Sequence, residues 1–237
     1  MKIRHTFRRY EKKFLLTRGQ FEAVLPMLWE RMAEEEYARH TICNLYFDTD
    51  SYDLIRTSLA KPPYKEKFRL RSYGVPGEAD MVFAEIKRKI DGVVYKRRVE
   101  AAPSVLRDFL ENGSLFQADE QIQQEILWFL HHYKAVPKVF IAYERVAFFG
   151  RDDPGFRVTF DENIRWRDYD LDLRLGDAGS PVLPEDRIVM EVKSASAVPL
   201  WLVSLLSERR IYRTSFSKYG ICYQRHLIAK IFRKAGA

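Results

Sequence analysis

In an extended chain, residues two apart project to the same side, and this sequence repeats charged pairs at that interval. Arg69 with Arg71, Lys87 with Lys89, and Lys96 with Arg98 each set two cations on one face. Carboxylates join them: Glu11 with Lys13, Glu85 with Lys87, Glu191 with Lys193, and Arg157 with Asp161 through Thr159. Tyr143 and Arg145 form a similar polar pair. Arginine supplies bidentate forks for phosphate oxygens and lysine supplies point charges. A few carboxylates can hold a divalent cation that neutralises and orients a phosphoryl group. The inventory suits phosphoryl chemistry, and no triad for covalent catalysis accompanies it. His131 and His132 are adjacent positions without a third ligand nearby in sequence, which favours a capping or surface role over a metal site.

Strands must carry these pairs. Period-two alternation over Lys67–Ser72, Met81–Lys89, Val93–Val99, Val139–Phe148, Phe156–Asp161 and Arg187–Lys193 predicts them. Asp91-Gly92 predicts a tight hairpin turn between the second and third, because both residues tolerate positive φ. Helical periodicity covers Gly19–Arg39, where Phe21, Val24, Leu25, Leu28 and Met32 share a stripe, and also Glu120–Tyr133 and Leu200–Arg209. Phe68, Leu70, Ile86, Val158, Phe160 and Val192 occupy the faces opposite the charges and are expected under covering helices. Trp29, Trp128 and Trp201 lie on apolar helical stripes and are expected in packing. The segments Ser72–Asp80 and Gly176–Pro184 read as loops too short for linkers, so one domain over residues 1–237 is expected.

For a single strand, a solvated face of an antiparallel sheet explains the charges. Six strands sharing the pattern weaken that explanation, since an exposed face would mix Thr, Ser and Gln among the charges. If the sheet closes, the charged face lines a lumen. So many cations are tolerable there only with water or a polyanion among them, and a chain of phosphates is the natural filler.

Composition agrees. The 237 residues carry 40 Lys and Arg against 33 Asp and Glu, a formal charge of +7, and a pI near 9.3 that attracts polyanions. The hydrophobic fraction of 46% is ample for a core. Cys43 and Cys222 lack metal-ligand or disulfide spacing and are expected as reduced, near-core thiols. Met1–Phe14 is too charged for a signal peptide and no window is apolar enough to span a bilayer, so a cytoplasmic location is expected. The segment Tyr223–Lys234 carries Arg225, His226, Lys230, Arg233 and Lys234 and is expected to be a basic, solvated helix.

Several motifs carry a resemblance in their order: Arg9-Tyr10-Glu11-Lys12-Lys13-Phe14, Asn44-Leu45-Tyr46-Phe47-Asp48-Thr49, Phe68-Arg69-Leu70-Arg71-Ser72-Tyr73-Gly74 and Phe83-Ala84-Glu85-Ile86-Lys87. Tyr95-Lys96-Arg97-Arg98, Ala142-Tyr143-Glu144-Arg145, Arg157-Val158-Thr159-Phe160-Asp161, Met190-Glu191-Val192-Lys193, Pro199-Leu200-Trp201-Leu202 and Phe216-Ser217-Lys218-Tyr219 follow. The ordered set resembles the vacuolar transporter chaperone (VTC) domain, the polyphosphate polymerase branch of the CYTH-like triphosphate tunnel metalloenzyme superfamily, over nearly the whole chain.

The resemblance implies an α+β fold: an antiparallel closed β-barrel of about eight strands with helices packed outside and a phosphate chain in its lumen. It implies that Arg69, Arg71, Lys87, Arg145, Arg157 and Glu191 serve catalysis, and that Lys13, Lys96, Arg98, Lys193, Ser217 and Lys218 bind phosphate. Lys89 is a secondary candidate. Glu191 would hold Mn²⁺ or Mg²⁺, while Glu85 and Glu11 would assist the metal or fix the lysines. Arg9 stands where cyclase and thiamine-triphosphatase relatives begin an ExExK strand with a carboxylate, which favours the polymerase branch. Ser215 stands where eukaryotic polymerases are expected to carry a Lys.

The implied activity is transfer of the terminal phosphate of a nucleoside triphosphate (ATP) to a growing polyphosphate. The alternatives are an inorganic triphosphatase or polyphosphatase using the same tunnel, and a noncatalytic polyphosphate- or RNA-binding module. Nucleic acid is not the expected partner, since no RRM, KH or helix-turn-helix signature is present. No stretch resembles the regulatory domain or membrane segments of the eukaryotic complexes, so membrane coupling is expected from a partner protein.

Overall fold

The structure is a computed structural model that describes residues 10–91, 93–195 and 197–235. Arg9 and Gly92 lie outside the described residues. The chain forms two compact units, one of residues 10–40, Tyr143–Ile164 and Leu183–Ser217, the other of Thr41–Ala142, Arg165–Val182 and 218–235. Ten antiparallel strands are formed among the described residues, eight of them at least eight residues long.

In the first unit, β1 (Tyr10–Thr17) lies between β9 (Arg187–Ser194) and the two-residue β10 (Arg213–Thr214). Next to β9 comes β7 (Arg157–Arg167), then β6 (Val136–Gly150). The register sets Lys13 opposite both Glu191 and Thr214, and Arg157 opposite Lys193. Phe14, Leu16, Val158, Phe160, Ile188, Met190 and Val192 point into one apolar core. Helices α1 (Arg18–Arg31) and α5 (Leu200–Glu208) cover that core with Phe21, Val24, Leu28, Leu202, Leu205 and Leu206. Thr17 starts α1 as a capping box: its hydroxyl accepts from the Gln20 N–H while the Gln20 side chain accepts from the Thr17 N–H.

The expected helix over Gly19–Arg39 is corrected at its second half. α1 ends at Arg31, Met32 turns to extended backbone, and β2 runs over Met32–Asp48. Met32 completes the helical stripe and is fully buried, so the period runs on past the helix. Ala33-Glu34-Glu35-Glu36 are good helix formers, but they lie in β2, which neighbours β6 in the sheet.

In the second unit the neighbours run β6, β2, β3 (Tyr64–Tyr73), β4 (Val82–Ile90), β5 (Val93–Ala101). Ile90 pairs with Val93, and Asp91 has φ of 46°, as a two-residue turn requires. Phe68, Ile86, Leu45, Phe47, Ala84 and Val99 line one core, covered by α3 (Pro103–Asn112) and α4 (Glu120–Tyr133) through Leu106, Phe109, Ile126 and Phe129. The two-residue β8 (Ser180–Pro181) pairs with β7 inside the expected loop. α2 (Asp53–Leu59), α6 (Lys218–Cys222), a π-helical turn (Tyr223–Leu227) and α7 (Ile228–Ala235) complete the unit.

Cys43 and Cys222 are buried free thiols, as expected. Trp29 and Trp128 are about half exposed, which corrects their expected burial; Trp128 stacks on His132 at 4.4 Å instead. Trp166 is the buried tryptophan. No helix among the described residues is long and apolar enough to cross a membrane.

Candidate functional site

Each unit gathers expected site residues into a cluster, on the strand face opposite its core. In the second unit the centre is Glu85, which is buried. Arg69 stands opposite it on β3, Arg98 on β5. Arg69 donates through Nε at 2.9 Å and Nη2 at 2.7 Å to one Glu85 oxygen, Arg71 Nε lies 3.9 Å away, and Lys96 pairs with the other oxygen. Burial alone would raise the Glu85 pKa, yet Arg69, Arg71 and Lys96 overcome it and hold the carboxylate far below the usual range.

Glu85 is shared among these three cations. Lys96 is the under-compensated partner: burial and the repulsion of Arg71 and Arg69 outweigh Glu85 and lower its pKa to about 8. Lys67, Lys87 and Lys96 stand in one cross-strand row, an arrangement of like charges that is unfavourable without an anion. Lys87 is exposed, and the Arg98 guanidinium lies 4.5 Å from the Phe83 ring centre.

Two residues beyond the expected set position these arginines. Asn44, fully buried, stands opposite Arg71 and accepts from its Nε at 3.0 Å, while donating to the Ile141 carbonyl. Tyr46 stands opposite Arg69, accepts from its Nη1 at 3.1 Å, and stacks on Tyr219. Period two in Asn44-Leu45-Tyr46 sets the two on one side, and the β2–β3 register is what turns that side to the arginines.

The first unit's cluster is centred on Lys13 and Glu191. The Lys13 ammonium lies 3.2 Å from both Glu11 and Glu191, and Lys193 lies 3.3 Å from Glu191. Burial would lower the Lys13 pKa, but Glu191 and Glu11 raise it, so this lysine stays protonated. Arg145 donates Nε and Nη2 to the two oxygens of fully buried Asp161 at 2.6 and 2.8 Å. Desolvation is again overridden, here by Tyr143, Asp161 and Glu191, and its pKa is raised.

Asp161 is thus a partner of Arg145. Arg157 is more exposed and lies 3.4 Å from Glu35, a residue hidden from sequence reasoning by the overlong helix. Ser217 closes the first unit and Lys218 opens α6 in the second; both are half-buried.

Among the described residues no three His, Cys, Asp or Glu side chains form a metal cage. Glu11 and Glu191, sharing Lys13, are a pair of hard oxygen donors. Mg²⁺-type ions are commonly held by one or two carboxylates plus substrate phosphates, a donor set this pair could supply, although Lys13 and Lys193 already neutralise Glu191. Glu85 fits less well, because three cations already surround it.

An antiparallel sheet with helices on one face and cation–carboxylate clusters on the other defines the class. The fold is similar to that of a candidate adenylate cyclase from Bacillus halodurans, with a TM-score of 0.56, 12% identity, and coverage of 90% of this chain and 96% of that one. A second candidate adenylate cyclase, from Vibrio parahaemolyticus, gives a TM-score of 0.50, 12% identity and coverage of 92% and 98%. None of the curated proteins compared with the sequence matches it. The VTC domain profile matches residues 8–227. The chain belongs to the VTC domain family.

Proposed function

We propose that this protein is a metal-dependent polyphosphate polymerase, which transfers the terminal phosphate of a nucleoside triphosphate to a polyphosphate end within the tunnel implied by its family. The observation that supports this best is the VTC match over residues 8–227, accompanied by the clustering of the charges that phosphoryl transfer requires. Each unit carries its own phosphate-binding cations in this reading: Lys13, Arg145, Arg157 and Lys193, with Ser217, in the first, and Arg69, Arg71, Lys87, Lys96 and Arg98, with Lys218, in the second.

Asn44, Tyr46 and Glu85 fix the side chains of Arg69 and Arg71, and Asp161 fixes Arg145, so the donors are positioned before substrate arrives. Glu191, with Glu11, would hold Mn²⁺ or Mg²⁺, which when bound neutralises phosphate charge. Glu85 serves in this reading as the anchor of Arg69, Arg71 and Lys96. Positioning and charge neutralisation carry most of phosphoryl transfer, so no protein nucleophile is needed.

The test incubates the purified protein with ATP and Mn²⁺, resolves products on a polyphosphate gel and measures free phosphate. Polymer made by the wild type and lost in both Arg69→Ala and Glu191→Ala is the expected result. Free phosphate without polymer would replace the polymerase by a triphosphatase, and neither product would leave a binding module.

A further inference from the structure

The end of the β4–β5 hairpin leaves five large apolar side chains in water. Tyr64, Ile90, Val93, Val94 and Tyr95 are each 37% to 43% exposed. Register brings them together: Tyr64 pairs with Ile90 and Ile90 with Val93, Lys65 with Lys89 and Lys89 with Val94, and Arg88 with Tyr95. The Asp91 N–H bonds the Pro63 carbonyl at 2.9 Å, holding the start of β3 against the turn. Alternation puts Tyr64, Ile90, Val93 and Tyr95 on one face and Val94 with Lys65 and Lys89 on the other.

Soluble domains rarely gather exposed apolar side chains in this way unless the patch meets a partner. The surroundings indicate which kind. Lys61, Lys65 and Lys89 flank the tip, against Asp91 at the turn and Glu66, which is buried and paired with Arg88. Aliphatic side chains at a hairpin end, tyrosines beside them and lysines behind match the layers of an anionic bilayer: acyl boundary, interface and charged headgroups. A protein partner of ordinary surface would not call for so one-sided a collar.

We propose that the β4–β5 hairpin tip docks on anionic lipid membranes, with Ile90, Val93, Val94 and Tyr95 entering the interface and the lysines contacting headgroups. The tip residues Ile90, Val93, Val94 and Tyr95 and the flanking Lys61, Lys65 and Lys89 are not among the phosphate-binding residues of the activity proposed above, so the two readings can fail separately.

The experiment is flotation of the full chain with phosphatidylcholine vesicles containing about 30% phosphatidylserine, beside vesicles of phosphatidylcholine alone. The wild type should float with the former only. Val93→Ser combined with Val94→Ser, at two exposed positions, should cut the bound fraction about fivefold while leaving inorganic triphosphate binding unchanged. An environment-sensitive dye on Val94→Cys should shift to the blue with anionic vesicles, and the same dye on exposed Leu175→Cys should not; the native cysteines are buried. The dye arm stands even if the double variant folds poorly. No flotation, equal flotation of the double variant, or equal shifts at both labels would overturn the proposal. Dissociation of a wild-type dimer by Val93→Ser and Val94→Ser, without flotation, would make the tip a contact between copies and overturn it as well.

Discussion

Single residues in this protein are governed by unequal charge sharing. Glu85 is one carboxylate among Arg69, Arg71 and Lys96, and the cost falls on Lys96, whose pKa is lowered to about 8. A lysine with a depressed pKa is a cation below that value and neutral above it. Binding of inorganic triphosphate should therefore weaken as pH rises from about 7 to 9, and Lys96→Arg, which keeps its charge, should flatten the dependence. Calorimetric titration without metal measures both. Parallel pH profiles would remove Lys96 from the phosphate contacts. Lys13 behaves oppositely, because two carboxylates hold its proton. The two clusters thus respond differently to pH although both are built from lysine, glutamate and arginine.

At the scale of elements, local signals decide starts better than ends. Thr17 and Gln20 form a reciprocal cap that fixes the entry to α1 directly after β1, the strand that carries Lys13. Thr17→Ala should lower stability by about 1 kcal/mol in urea unfolding, with an unchanged denaturant slope. A neutral effect would mean that packing of Phe21, Val24 and Leu28 alone sets that boundary. The other end of α1 shows the contrast, since nothing in Arg31-Met32-Ala33 announces a strand. Asp48 likewise closes β2 by accepting from the N–H groups of Thr49, Leu54 and Ile55 and from the Tyr219 hydroxyl. Burial raises its pKa while those bonds oppose the rise.

At the scale of the whole molecule, the strand faces are separated by polarity in each unit, and the apolar side supports the charged side. Phe68 is fully buried against Phe47 and Phe129, between the residues Lys67 and Arg69 that face the other way. Phe68→Ala should destabilise by roughly 3–5 kcal/mol, read as a lower denaturation midpoint, and should also weaken triphosphate binding by loosening β3. Loss of stability with full binding would show that the arginines are held by Glu85, Asn44 and Tyr46 without help from the core.

The sequence by itself determined the period of the strands, the side on which each charge lies, the Asp91-Gly92 turn position and family membership, because these are local properties of two-residue alternation and ordered motifs. Arg69, Arg71 and Glu85 were legible as one face for that reason. Only the tertiary structure decided which charges are partners. Arg145 takes Asp161, Arg157 takes Glu35, and Asn44 and Tyr46 take the two arginines of β3. Partnership depends on the register between strands distant in sequence, as does the conversion of 32–39 from helix to strand. Long-range backbone pairing and desolvation outweigh the local preferences that sequence reading measures.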